Sequence, residues 1–599
     1  MKIKIITLSI VLSAMTGLTS CDDYLDKEVD LSMSQDKIFS KYDSTNGFLA
    51  NIYNYLPDAF VGYTDGQFLA ASRDCMCDNS ISFWNVHRYH SIQSDTYDAK
   101  SHWFASNYWS RDLTGIRAAN QFLANARENV VGNSSKQGDD NHLYDRWMAE
   151  ARFLRAILHF DLASWFGAIP IEDHVLTNEE AATISRTPAA DAFKWIADEC
   201  DTIIASGALP FRYTNENSNW GRVNGASVYA LRSRALLYRA SSLYNPDNNL
   251  EWWQEAAEAA LDFMRANNAS ANPYRLYTTT PSDPEQNYYE CFASTPHLND
   301  EYILARSEWT TYNIETYLFP CGYSGNVNAV GRTNPTENLV ESYEMRNGLP
   351  IDDPNSGYDP QNPYANRDPR LDQTILHQGS IWGDKNNDEQ RAVDVSYPDG
   401  QDYATLHGGT TTGYYTKKFC HNMSFKNPAA TPHACPIFRY AEILLNAAEA
   451  LNEVGRTDEA YQYVNQVRAR VGMPAYSGMS QAKLRERIRN ERRVELCFED
   501  HRYFDVRRWK LFEENGSASA EKNKPLYQQV YNLYSMQVTP EGTQTYTIIP
   551  NSLHPTLGIV LPKSYFFPVP DDEYKKNRNL GQNTGWEISD AKPSDTTTE

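Results

Sequence analysis

Apolar residues recur at helical spacing over much of the first 270 positions and again from 437 to 497. Residues 36–56 carry Ile38, Phe39, Tyr42, Phe48, Leu49, Ile52, Tyr53 and Leu56 three or four apart. Residues 106–126 continue with Tyr108, Leu113, Ile116, Ala119, Phe122 and Leu123. Such stripes predict amphipathic helices, because every third or fourth side chain lies on one face. A long helix is predicted over 144–166, stopped by Gly167-Ala168-Ile169-Pro170. Gly supplies a left-handed cap there and Pro blocks a restart. Thr187-Pro188-Ala189-Ala190-Asp191 opens another helix through about Ser206, and further helices are predicted at about 225–243, 251–267, 437–453, 457–471 and 480–497.

The stretch 437–474 holds Ala447-Ala448-Glu449-Ala450-Leu451, Gly455-Arg456-Thr457-Asp458-Glu459-Ala460, Val464, Val467 and Pro474. Small residues at a helix contact, a Gly between the helices and an Ala five residues later resemble a tetratricopeptide hairpin. The pair 225–267 is similar, with Ala256, Ala257, Ala260 and Leu261 in its second helix. Hairpins of this kind bury their faces by stacking. Residues 270–435 and 515–599 differ: they are rich in turn formers and lack long periodic runs. Both are expected to be irregular insertions with short strands packed on the helical part. The polar tail 590–599 is expected to be disordered.

The amino terminus adds a location. Lys2 and Lys4 precede the apolar run Ile5–Met15, too short to span a bilayer, and Leu18-Thr19-Ser20-Cys21 follows. This is a bacterial lipobox, so residues 1–20 are expected to be a lipoprotein signal peptide and Cys21 the lipidated residue, an anchor made of acyl chains. Eight other cysteines remain in the 599 residues. That is too sparse for a disulfide scaffold; Cys420 and Cys435 close a short loop and form the candidate disulfide.

Composition narrows the partners. The chain has 77 Asp+Glu against 55 Lys+Arg, a formal charge of −22. Phosphate binding needs a basic footprint, so nucleic acid is excluded. A mean hydropathy of −0.62 excludes a multispanning membrane protein. Catalytic signatures are missing. Gly322-Tyr323-Ser324-Gly325-Asn326 has its second Gly one place early for a nucleophile elbow. Asp384-Lys385-Asn386-Asn387-Asp388 lacks the later Gly and Glu of a calcium loop. Cys420-His421 with His433-Ala434-Cys435 offers two S and two N zinc donors, but an exported chain favours the disulfide. No metal and no cofactor are expected. The charge run from Glu486 to Glu499 is read as a structural ion network, with Arg487 and Glu491 one helical turn apart.

Aromatics are the positive signal, at 13% of the chain. One cluster holds Phe83, Trp84, Tyr89, Tyr97, Trp103, Phe104, Tyr108 and Trp109 beside Asn85 and Asn107; the other holds Trp309, Tyr312, Tyr317, Phe319 and Tyr323 beside Asn313. Flat rings suit the apolar face of a pyranose and amides suit its hydroxyls. Trp84, Trp103 and Trp309 are the candidate stacking platforms. Tyr89, Tyr312 and Tyr323 are supporting rings, and Asn85, Asn107 and Asn313 are hydroxyl partners.

Several blocks together resemble the SusD/RagB family of outer-membrane nutrient-uptake lipoproteins. They are Cys21-Asp22-Asp23-Tyr24-Leu25-Asp26, Glu150–Ala156, Trp165–Pro170, Asn366–Leu371, Arg439–Leu445, Glu491–Leu496, His501–Trp509 and Phe567–Pro570. The resemblance implies a mainly α protein with about four tetratricopeptide-like hairpins and large irregular insertions, SusD-like in fold. It implies an N-terminal part over 21–270 and a C-terminal part over 271–599, the latter with an insertion at 271–435, a hairpin and signature at 436–515, and an irregular segment at 516–590. It further implies a non-catalytic, lipid-anchored protein facing the cell exterior at the outer membrane. Such a protein binds oligosaccharide or polysaccharide and passes it to a SusC-like TonB-dependent transporter. A peptide ligand, a pure interaction scaffold and a surface glycoside hydrolase are the alternatives.

Overall fold

The computed structural model describes residues 35–60, 71–83, 87–132, 142–213, 219–306, 309–513, 530–540 and 544–587. Two compact units are distinguished. In the smaller, drawn from residues up to Phe48 and from Asn125–Tyr144, Arg127 pairs with Asp36 at 2.8 Å and the rings of Phe39 and Phe48 lie 5.1 Å apart.

The larger unit is a stack of antiparallel helices. In chain order the main helices are α1 (Tyr42–Ile52, entering it from the smaller unit), α2 (His87–Gln93), α3 (Trp103–Asn125), α4 (Leu143–Phe166), α5 (Ala189–Ser206), α6 (Gly225–Ala240) and α7 (Leu250–Ala269). They continue as α8 (Asn313–Leu318), α9 (Tyr440–Glu453), α10 (Thr457–Arg470), α11 (Gln481–Leu496) and α12 (Arg502–Arg508). Helix α5 packs on α6, α6 on α7, α7 on α9, and α9 on both α10 and α11. This run of neighbours is the tetratricopeptide-like arrangement expected from the alanine pattern. Ala256, Ala257 and Ala260 in α7, Ala447, Ala448 and Ala450 in α9, and Ala460 in α10 are all buried where the helices meet. A larger side chain there would hold the backbones apart. Between α9 and α10, Gly455 adopts φ 80°, a left-handed turn that costs a side-chain-bearing residue.

One boundary differs from the sequence expectation. Residues 437–439 are not the start of α9; they belong to a strand, Pro436–Arg439, paired antiparallel with Tyr302–Ala305 in the register Arg439↔Tyr302. All of its residues are buried, so its run of apolar side chains has no helical phase to show.

The insertion 271–435 consists of loops and two-stranded ladders, and it shares a core with the helical part. Leu339, Tyr343, Leu371, Ile375, Tyr414 and Tyr415 form one cluster with Val494, Cys497 and Phe498. Beneath it lies the ion network expected from the charge run. Arg439 bonds Glu301 at 2.6 Å, Glu495 at 2.7 Å and Glu499 at 2.6 Å. Arg370 bonds Asp368 at 2.7 Å, Glu491 at 2.6 Å and Glu495 at 3.0 Å, and Lys418 bonds Glu499 at 2.6 Å. Burial opposes ionisation of Glu495, yet Arg470, Arg439 and Arg370 hold its carboxyl well below the usual range. Charges this deep are tolerated only when paired on several sides.

Candidate ligand-binding surface

Three other segments meet the strand Ser80–Ser82 and its continuation at Phe83. That strand pairs with Thr333–Pro335, placing Ser82 opposite Thr333. The ladder then continues irregularly: Phe83 N donates to the Arg332 carbonyl at 3.1 Å, and Arg332 N to the Tyr317 carbonyl at 2.7 Å. Val330 N donates to the Thr316 carbonyl at 2.9 Å, and Gly409 N to the Val330 carbonyl at 3.3 Å. A Cβ on Gly408 would sit 1.9 Å from the Val330 oxygen, and one on Gly409 2.9 Å from the Phe83 ring. Only glycine permits this approach. The two aromatic clusters of the sequence are thus joined through Phe83 and Tyr317, both half-buried.

A third segment, which the sequence reading did not single out, extends this surface. The rings of Tyr397 and Tyr403 meet edge to face at 5.3 Å, with Tyr397 exposed. Leu406, at the tip of the same loop, is fully exposed. The sequence signal was present in Tyr397-Pro398-Asp399-Gly400 and Gly408-Gly409, two turns flanking aromatic and apolar residues.

The second cluster is mounted on a short ladder. Trp309–Thr311 pairs with Thr431–His433, Trp309 opposite His433. Trp309 and Tyr312 are half-buried, each packed on the core by part of its ring. Asn313 is exposed at the start of α8, its backbone N–H held by the Thr311 hydroxyl at 3.0 Å. Below the ladder, the buried Glu315 carboxylate lies 3.2 Å from His433 Nε2 and accepts the His421 N–H at 2.8 Å. The rings of His421 and His433 meet edge to face at 4.8 Å. Burial, and then His433, push the His421 pKa down.

Other expected residues fall elsewhere. Tyr89 is fully buried, stacked on Phe104 at 5.6 Å, its hydroxyl donating to the Ala71 carbonyl. Tyr323 is also buried; its hydroxyl donates to the Trp382 carbonyl at 2.7 Å, and the Arg391 guanidinium lies 4.2 Å from its ring centre. Both rings are core, with no face left for a ligand, which corrects their assignment as supporting rings. Trp103 is half-buried, with the Arg88 guanidinium 3.7 Å from its ring centre and Phe104 edge-on at 4.9 Å. Asn107 is exposed on α3. Trp84, Asn85 and Cys21 lie outside the described residues.

The candidate disulfide is not formed: Cys420 and Cys435 are free thiols. Their side chains have separate surroundings, Cys420 Sγ near the Thr416 carbonyl at 3.9 Å and Cys435 Sγ accepting the Ala59 N–H at 3.3 Å. Burial pushes both thiols well above their ordinary pKa. Among the described residues no group of His, Cys, Asp or Glu is arranged to hold a metal ion. Nor is any described helix long and apolar enough to cross a membrane.

The larger unit is a helical stack whose irregular insertions carry half-buried aromatic side chains and share a core with it. Comparison with known proteins identifies the family. The SusD family model matches residues 300–586, and a second, described as starch-binding and associating with the outer membrane, matches residues 23–240. SusD-like protein P2 of Formosa agariphila is 24% identical over 500 residues, 80% of each chain. A SusD-like carbohydrate-binding protein of Bacteroides fragilis superposes with a TM-score of 0.67 at 25% identity, covering 91% of this chain and 99% of that one. A laminarin-binding SusD-like protein superposes with a TM-score of 0.59 at 19% identity, over 91% and 100% of the two chains. The chain belongs to the SusD/RagB family, whose members are carbohydrate-binding proteins.

Proposed function

We propose that this protein captures oligosaccharide at the cell surface and passes it to a SusC-like TonB-dependent transporter without catalysing a reaction on it. The observation that carries this reading is that backbone bonds and the close Gly408-Gly409 turn gather the aromatic-bearing segments of Phe83, Tyr317 and Tyr403 into one neighbourhood. A half-buried ring is held rigidly by its packed edge and offers its other face, which suits stacking against a sugar. Trp309, Tyr312 and Asn313 supply a second wall, and Trp84, Asn85, Trp103 and Asn107 are the candidate contacts of the first cluster. The laminarin-binding relative supports a glucan among the ligands to try.

Affinity gel electrophoresis against a panel of soluble polysaccharides tests this directly. Retardation by at least one glycan is expected, with loss in the variant carrying Trp84→Ala, Trp103→Ala and Trp309→Ala together. Undiminished retardation of that variant would remove the site assignment. Lipid anchoring through Cys21 is part of the same reading. Cys21→Ser is expected to move the protein from the membrane to the soluble fraction, read by fractionation and immunoblot.

A further inference from the structure

The wall built from Trp309, Tyr312 and Asn313 stands on a weak ladder. That ladder is three residue pairs long, and its middle pair sets Thr310 opposite Pro432, which has no N–H to donate. A two-stranded ladder of this length is marginal in water. One end is fastened by the Arg306 N–H, which donates to the Cys435 carbonyl at 2.9 Å. Further along, the strand Thr431–His433 is held through side chains.

Those side chains converge on one oxygen. The Glu315 carboxylate is fully buried, and its Oε1 takes two contacts: His433 Nε2 at 3.2 Å and the His421 N–H at 2.8 Å. His421 Nε2 lies 3.3 Å from the Pro432 carbonyl, which closes a ring of contacts through the strand. The Thr431 hydroxyl stands 3.2 Å from the same His433 nitrogen. An ionised carboxylate and a carbonyl only accept, so both imidazoles carry a proton on Nε2. Glu315 Oε2 is buried and makes no hydrogen bond among the described residues, so the hold comes from Oε1. The place of Glu315 in the chain gives this clamp its reach. The chain leaves the ladder at Thr311, yet the third residue of α8 contacts His433, the residue opposite Trp309. Tyr312 and Asn313 lie on the stretch between.

We propose that Glu315 is a positioning residue of this wall: through His433 and His421 it sets Trp309 relative to Tyr312 and Asn313, so that the three present one fixed surface. Being buried, it touches no ligand itself. Burial of both Glu315 and His433 keeps water from competing for their bond. A wall set in advance spares a ligand the cost of ordering it. The effect on binding rests on the glycan reading of this wall; the effect on Trp309 does not.

Fluorine NMR of the full chain labelled with 5-fluorotryptophan separates the two, with the Trp309 resonance assigned by its loss in Trp309→Phe. Glu315→Ala removes Oε1, and the Trp309 resonance should shift or broaden by more than the parent linewidth. Glu315→Gln keeps an oxygen at that place and should return the resonance to the parent position. A core residue serving stability alone would move the denaturation midpoint without this signature or this rescue. Retardation in laminarin gels is read in parallel. Apparent affinity should fall at least tenfold in Glu315→Ala and recover in Glu315→Gln. An unmoved Trp309 resonance in folded Glu315→Ala overturns the proposal, as does a Glu315→Gln resonance displaced equally far. Unchanged laminarin affinity in a Glu315→Ala protein whose Trp309 has moved overturns the role in binding. Should laminarin fail to retard the parent, the glycan reading fails for that glucan and the fluorine result decides the positioning role. Should Glu315→Ala fail to fold, His433→Phe replaces it, keeping a ring but losing the Nε2 proton, and the same resonance decides.

Discussion

Trp309 and Tyr323 sit in one aromatic-rich stretch of sequence, yet the structure gives them opposite environments. Trp309 rests one part of its ring on the core and stands on a ladder strand opposite His433. Tyr323 is buried on all sides, tied by its hydroxyl to Trp382 and capped by Arg391. The two Ala variants should therefore fail in different ways. Trp309→Ala is expected to lose glycan retardation while its chemical-denaturation midpoint moves little, because only part of the ring leaves a packed environment. Tyr323→Ala is expected to lose about 3–5 kcal/mol of stability, the range for emptying a buried aromatic site. Its glycan affinity should remain normal in whatever fraction stays folded. If Tyr323→Ala abolished binding with stability intact, the division between core and surface rings made here would fail. Residue type alone could not have separated the pair, since an aromatic–polar mixture reads the same whether a ring faces solvent or a neighbouring loop.

Helices whose apolar faces repeat every third or fourth residue were legible along the chain. The stretch read as 144–166 is Leu143–Phe166, and that read as 457–471 is Thr457–Arg470. The hairpin turn was legible for the same local reason, a Gly between alanine-lined faces. Gly455 has φ 80° and open space around the position of a Cβ, so Gly455→Ala tests backbone strain without a clash. It should cost about 1 kcal/mol, measured as a shift in denaturant midpoint with an unchanged slope. No shift would mean that the turn relaxes freely. Elements set by distant partners were not legible. Pro436–Arg439 is a strand because Tyr302–Ala305 lies beside it, a partner more than 130 positions away in sequence. The Tyr397–Tyr403–Leu406 part of the candidate surface was missed for a related reason. Its neighbours Phe83 and Val330 come from other segments, and only the Gly408-Gly409 approach brings them together. The Cys420–Cys435 pairing failed likewise, since short separation in sequence does not aim two thiols at each other.

Across the whole molecule, buried carboxylates of two kinds oppose each other as pH changes. Burial raises the pKa of Glu449, but Arg508, Arg492 and the Trp509 N–H outweigh it and bring it down to about 2. Glu495, Glu499 and Asp78 are lowered in the same manner. Each contributes stability that is present above its unfolded carboxylate pKa, 4.5 for the three glutamates and 3.8 for Asp78, and is lost as pH falls toward the folded value. Glu337 is the reverse case. Burial, then repulsion from Glu341, push it up to about 8, and the Tyr414 hydroxyl is bound to it. Asp74 is pushed up to about 6, chiefly by burial. These groups favour the folded state fully below their unfolded values, 4.5 for Glu337 and 3.8 for Asp74, and that preference is lost as pH rises through their folded pKa values. Self-repulsion in a chain of formal charge −22 at pH 7 acts in the same direction. Stability measured by denaturant titration should therefore peak at about pH 5 and decline on both sides. Glu337→Gln isolates the upper limb, because an amide keeps the shape and the bond to Tyr414 but cannot ionise. The variant should match the parent at pH 4. It should then gain on it by up to about 1.4 kcal/mol per pH unit between pH 4.5 and 8. A parallel pH profile for the two proteins would show that Glu337 ionises freely in the fold, and a parent maximum at pH 8 would show that the paired carboxylates dominate the whole range.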